Sequence, residues 1–147
     1  IANRGYFITP HLLQQFSDPN ILIPENLRTK HILPIDQKYF DPIIEGMEMA
    51  VNSGTAIKGY YNNISICGKT GTSQNPHGED HSVFFAFAPK TKPKIALAVY
   101  IENAGWGGDV AAPIGSLIIE KYLQDTINRK DLEKKMIELK IKNKTKT

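Results

Sequence analysis

One cysteine, one tryptophan and no long apolar run define this 147-residue sequence first by what they exclude. A lone Cys67 cannot close an internal disulfide or supply a cysteine-based zinc site, and it fits an oxidising or a reducing compartment equally well. No apolar stretch approaches the roughly eighteen residues of a membrane span. Ile1-Ala2-Asn3-Arg4 does not read as a signal peptide. A soluble chain is therefore expected. No internal repeat is visible either. What is present is ordinary: 41% hydrophobic and 22% charged residues describe one globular domain with a real core.

The net charge of +3 is unevenly spread. Residues 129 to 147 hold eight Lys/Arg against three Asp/Glu, which leaves the remainder at −2. A basic tail could meet anionic lipid or nucleic acid, but charges this mixed read as a solvated helix and a frayed end. No nucleic-acid partner is expected.

Along the chain, Ile1 to Tyr6 reads as the end of an element whose beginning is missing, with Gly5 as its stop. Thr9-Pro10-His11-Leu12-Leu13 suggests a short extended segment, Ser17-Asp18-Pro19-Asn20 a turn, and the stretch to Pro34 a long surface connection. Asp36 is a good N-cap, followed by Phe40, Ile43, Ile44, Met47, Met49, Ala50 and Val51 at helical spacing, so an amphipathic helix is expected at 37–53, stopped by Gly54. Pro42 falls in its first turns and favours a start nearer Phe40. Strands are expected at 64–74, 81–88 and 95–102, joined by short loops into an antiparallel meander. The second and third are apolar on both faces and so require cover on both sides. A second helix is expected at 110–124, carrying Ile114, Leu117, Ile118 and Tyr122 on one stripe, and a thinner helix at 129–140.

The stretch most committed to chemistry is Cys67-Gly68-Lys69-Thr70-Gly71-Thr72-Ser73-Gln74. Glycine within a strand marks a place where a ligand or another backbone comes close. Lys-Thr-Gly is one signature of the serine enzymes that process penicillin and cell-wall peptides. Alone, the stretch is better read as a β-strand with a turn, Lys69 being a solvated edge lysine that discourages aggregation.

Asn3-Arg4-Gly5-Tyr6 with Thr9-Pro10-His11, Gly54-Thr55-Ala56, Lys69-Thr70-Gly71-Thr72, Phe87-Ala88-Pro89 and Ala111-Ala112-Pro113 occur in one order. That series resembles the C-terminal part of the transpeptidase domain of class B penicillin-binding proteins, nearest to the penicillin-binding protein 2 group. The resemblance implies an α+β, partial serine β-lactamase-like fold. It makes residues 1–125 an incomplete transpeptidase domain and 126–147 a basic tail. It also implies peptidoglycan cross-linking through an acyl-serine, β-lactam sensitivity and no cofactor. The expected partners are a stem peptide and, for the full-length protein, glycosyltransferase and elongation-complex proteins on the periplasmic side of the inner membrane.

The same resemblance assigns Lys69 to the proton network and the substrate carboxylate, and the Thr72 N–H to an oxyanion hole. Thr70, Gly71, Thr72 and Gln74 become substrate contacts. The family's serine lies in Ser-x-x-Lys, yet the residues three after Ser17, Ser53, Ser65, Ser73, Ser82 and Ser116 are Asn20, Ala56, Gly68, Pro76, Phe85 and Ile119. Ser73-Gln74-Asn75 spells the helper motif Ser-x-Asn, but after Lys-Thr-Gly instead of before it. The chain is therefore expected to bind and not to acylate. The alternative is a non-catalytic penicillin-sensing or partner-binding module of the same fold. A face exposed by truncation would favour self-association.

His77, Glu79, Asp80 and His81 could supply metal ligands, but with no structural-zinc spacing they read as a solvated turn. His81 either flanks the groove or begins its strand, and the second is preferred. Trp106 either borders the cleft or packs on the sheet end, with packing preferred. His11 has no evident partner, and Cys67 reads as a small buried hydrophobe.

Overall fold

The computed structural model describes residues 1–141. The chain forms two compact units, one essentially of residues 3–42 and the other from Ile43 onward.

The first unit is built on a strand pair that local patterning does not announce. β1 (Tyr6–Ile8) runs antiparallel to β2 (Lys30–Ile32), with Phe7 opposite His31. Their rings stack at 4.9 Å between centroids. Lys30 lies 4.6 Å over the Tyr6 ring, a cation–π contact. The expected break at Gly5 is present, though it ends a turn and not a helix. Gly5 has φ +100°, and a Cβ there would meet the Phe40 ring at 3.1 Å. His11 has a partner after all, since its Nε2 lies 3.0 Å from the Leu27 carbonyl oxygen. Asp36 caps as expected, accepting the Lys38 N–H at 3.1 Å, which holds its carboxyl below the usual range.

That cap opens a 3-10 turn, Gln37–Tyr39, before α1 (Phe40–Asn52), so the expected start at 37 moves to Phe40. Pro42 then sits in the first turn, where its missing N–H costs no helical bond. Of the expected apolar stripe, Ile44 and Val51 are buried, whereas Ile43 and Met49 are exposed.

In the second unit, β3 (Cys67–Ser73), β4 (His81–Ala88) and β5 (Ile95–Ile101) form the expected antiparallel meander in that order. β3 starts three residues later than the expected 64. Ser65 turns its carbonyl and hydroxyl to the Lys90 N–H, at 3.0 and 3.1 Å, so the chain before Cys67 does not join the ladder. The register pairs Lys69 with Phe85, Thr70 with Phe84 and Thr72 with Ser82. α2 (Ala111–Gln124) covers one face of the sheet, where Gly115 admits the Phe84 ring; a Cβ there would approach it to 2.7 Å. Ile66, Phe84, Ala86, Ala111, Ala112 and Ile119 lie in this core.

Cover on both sides holds for most of β4 and fails for β5. Phe85 on β4 is 54% and Tyr100 on β5 55% exposed, because α2 covers only the opposite face of the sheet, the one that carries Phe84.

α3 (Lys130–Ile137) stops short of the expected 140. The tail is also not wholly solvated. Arg129 donates from Nε to the fully buried Glu120 at 2.8 Å and from Nη1 to the Tyr60 carbonyl at 3.1 Å, with its guanidinium 4.5 Å over the Tyr61 ring. The Asn128 N–H adds a second bond to Glu120, at 2.6 Å. Burial pushes the Glu120 carboxyl up, but Arg129 and the Asn128 amide outweigh it and hold the group below its ordinary value.

Replacing Arg129 with Met leaves a carboxylate buried without its partner and is expected to destabilise the chain by on the order of 3 kcal/mol at neutral pH. Because the folded carboxyl is more acidic than the unfolded one, the pair's contribution is fully present above the unfolded value. It is lost as pH falls through the folded value. Urea unfolding of wild type and Arg129→Met from pH 7 down to pH 3 should show the gap closing with acid.

Candidate active site

Lys69, Thr70, Gly71 and Thr72 lie on β3, an edge strand among the described residues, and the two-residue period divides them. Thr70 and Thr72 share the face that carries Phe84 and Ser82, while Lys69 and Gly71 share the face that carries Phe85 and Val83. The Lys69 ammonium folds onto the Thr70 carbonyl at 2.7 Å. Thr72 and Gln74 are exposed, Gln74 one residue beyond the strand.

A cleft of about 420 Å³ opens beside Thr70, lined also by Thr55, Trp106, Gly107, Gly108 and Asp109. Its wall is backbone laid on backbone. A Cβ at Gly107 would lie 2.3 Å from the Gly71 carbonyl oxygen and 2.4 Å from that of Val83. One at Gly108 would lie 2.1 Å from the Thr55 carbonyl oxygen. No side chain fits at either position. The Thr55 hydroxyl meets that of Thr70 at 2.7 Å, and Asp109 pairs with Lys58 at 2.9 Å.

Ser82 bolts this loop down. Fully buried, its hydroxyl donates to the Trp106 carbonyl and accepts the Ala111 N–H, both at 3.0 Å. Trp106, expected to pack, is 75% exposed at the cleft. The loop's glycines press its backbone to the sheet and leave the ring on the outer side.

The residues read as a solvated turn are hydrogen-bonded among themselves and to this loop. Asn75 donates its backbone N–H to the Asp80 carboxylate at 3.1 Å and its Nδ2 to the Asn103 Oδ1 at 2.7 Å. The Asp80 carbonyl accepts the Gly105 N–H at 2.7 Å. His81 begins β4 as preferred and accepts the Asn103 N–H on Nδ1 at 3.0 Å, which leaves a neutral ring's proton on Nε2. Among the described residues no three His, Cys, Asp or Glu side chains converge as a metal site.

Residues 1–120 match the family model for the penicillin binding protein transpeptidase domain. The chain belongs to that family. It is 32% identical over 142 residues to the peptidoglycan D,D-transpeptidase PbpA of Mycobacterium tuberculosis, covering 84% of this chain and 27% of that protein. Among solved structures it resembles Pseudomonas aeruginosa PBP2 in complex with WCK 5153 (TM-score 0.66, 35% identity, 84% of this chain and 27% of that one). It also resembles the imipenem acyl-enzyme complex of M. tuberculosis penicillin-binding protein A (TM-score 0.68, 32% identity, 84% and 29%). The chain thus spans just over a quarter of the length of these relatives. The class B, penicillin-binding protein 2-like resemblance and the α+β fold both stand.

In this transpeptidase-family chain, sequence reasoning singled out the β3 residues but gave no role to Thr55, Gly107, Gly108, Asp109 or Ser82. The glycine density of Gly105-Trp106-Gly107-Gly108 was the available signal for the loop; nothing in the sequence marks Ser82. Ser82→Ala should leave the Ala111 N–H and the Trp106 carbonyl without their buried partner, at a cost of about 1–3 kcal/mol. Because Trp106 is the single tryptophan, its fluorescence emission should shift along with the lowered melting temperature.

Proposed function

We propose that this chain is the substrate-binding part of a serine-type peptidoglycan D,D-transpeptidase. The observation that carries the reading is Lys69-Thr70-Gly71-Thr72 on an edge strand, with the Thr70 hydroxyl at the wall of a cleft, in a chain of this family. A cell-wall peptide ending in D-Ala-D-Ala would lie along β3 as strand addition to a sheet edge, and Gly71 leaves room for its backbone. Thr70, Thr72 and Gln74 face that peptide, with the two threonine hydroxyls directed to its carboxylate. Lys69 supplies positive charge to the carboxylate and to the proton network. The Thr72 N–H serves as one oxyanion-hole donor, a kind of contact whose loss costs on the order of 10²–10³ in rate.

The serine nucleophile is not among these 147 residues, so acylation requires the rest of the protein. We place that protein on the periplasmic side of the inner membrane, beside a glycosyltransferase and elongation-complex proteins. None of the described helices is long and apolar enough to cross a membrane. β-Lactams, which mimic the peptide terminus, occupy the same groove. That penicillin-binding protein A of M. tuberculosis is known as an imipenem acyl-enzyme supports this last step.

Incubation with fluorescent penicillin should label the full-length protein and leave the isolated 147-residue chain unlabelled. A covalent adduct on the isolated chain overturns the divided-site reading. No adduct on the full-length protein favours the binding-module alternative.

The isolated chain is further expected to self-associate with a second copy. Phe85 and Tyr100 on the open sheet face are exposed, as are Ile118, Tyr122 and Ile137 around an apolar groove between α2 and α3. Light scattering should report a mass above 16.4 kDa; a monomer across the micromolar range counts against it.

A further inference from the structure

We propose that Thr55 is a positioning residue that orients the Thr70 hydroxyl toward an anionic group of the ligand. The inference rests on the transpeptidase reading above and adds a residue to which that reading assigns nothing. The two hydroxyl oxygens are 2.7 Å apart, and both side chains line the cleft. Each hydroxyl carries one proton, whereas a carboxylate only accepts. If Thr70 donates to Thr55, it has no proton left for an anion and turns lone pairs toward it. If Thr55 donates to Thr70, the Thr70 proton is free to point into the cleft. A bound carboxylate selects the second arrangement, and the chain Thr55 O–H to Thr70 O–H to carboxylate is strengthened by mutual polarisation.

Backbone contacts hold Thr55 in place for this role. The Ala56 N–H donates to the Ala50 carbonyl at 2.9 Å, beyond the last turn of α1, and Ala56 is fully buried. The Ile57 N–H donates to the Gly54 carbonyl at 3.2 Å. On the other side the Thr55 carbonyl lies against Gly108, where no Cβ fits. Threonine is stiff at χ1, so a fixed backbone largely fixes its hydroxyl. Valine keeps that shape and removes the donor.

The test uses the full-length protein and two acylating probes, benzylpenicillin and its methyl ester, which differ in the carboxylate alone. Wild type should be acylated faster by the acid. Thr55→Val should lower the acid rate about tenfold, the scale of a hydrogen bond to a charged group, while changing the ester rate little, so that the acid-to-ester ratio falls about tenfold. Thr55→Ser, which keeps the donor, should restore the ratio. In a Thr70→Val background, Thr55→Val should add no further loss of ratio. Equal loss with both probes, or an unchanged ratio, overturns the proposal by assigning Thr55 a structural role or none. A further loss in the Thr70→Val background overturns it as well, because Thr55 would then touch the ligand itself. If wild type is acylated without preferring the acid, the proposal fails while the transpeptidase reading stands; if neither probe acylates wild type, both fail. Should Thr55→Val not fold, Thr55→Ala takes its place with the same expectations.

Discussion

Two stretches of backbone touch where side chains would ordinarily keep them apart, and the candidate site is arranged around that contact. The loop at Gly107 and Gly108 lies against the Gly71 and Val83 carbonyls on one side and the Thr55 carbonyl on the other, at separations that no Cβ tolerates. Close approach brings the β3 strand, the turn after α1 and the start of α2 within reach of one another. Backbone polar groups brought this close must find partners or lose water at a cost. Ser82 is the answer at the loop's root, where one buried hydroxyl serves a carbonyl and an amide that belong to different elements.

Charge does a second kind of placing at the margins. Lys90, which follows β4, reaches back to Glu45 and Glu48 on α1 at 2.6 and 2.7 Å, and the two carboxylates hold its ammonium above the ordinary lysine value. Arg129, its guanidinium stacked over the Tyr61 ring, reaches Glu120. The Lys90 pairs stay partly exposed, and a buried pair such as Arg129–Glu120 adds little net stability over apolar residues of the same size, because both ions give up water. Their effect is positional: a misplaced Arg129 would strand Glu120, so the segment leading into α3 has one favoured seat.

Features carried by local chemistry were legible in the sequence. Asp36 as a cap, Pro42 as a limit on the helix start, and the three strands with their short connections follow from neighbours a few residues apart. The β3 residues stood out because small side chains and a lysine are unusual together on a strand. Pairings across long separations were not legible. Phe7 meets His31 across twenty-four positions, and three-residue strands leave too short a pattern to detect. Arg129 looked like one charge among many in a basic tail, since nothing local distinguishes a guanidinium aimed at a buried carboxylate from one in water. Trp106 misled for the opposite reason. A large aromatic ring is normally cored, but between glycines that press the backbone to the sheet its side chain is directed outward.

Lys69 and Thr70 are adjacent, and adjacency on a strand means opposite faces. A ligand resting on either face of the sheet would meet one and not the other. A ligand that meets both must lie along the open edge of β3, where the backbone is exposed and the two side chains flank it. The Lys69 ammonium already reaches the Thr70 carbonyl, so the long side chain spans from its own face to the strand edge. The cell-wall peptide of the proposed function would use such an edge, its backbone pairing with the strand while its terminal carboxylate reached the hydroxyl side. The alternation of β3 thus sets one requirement on any ligand that meets both side chains, that part of it run along the strand edge, and the pleat of the strand alone imposes it.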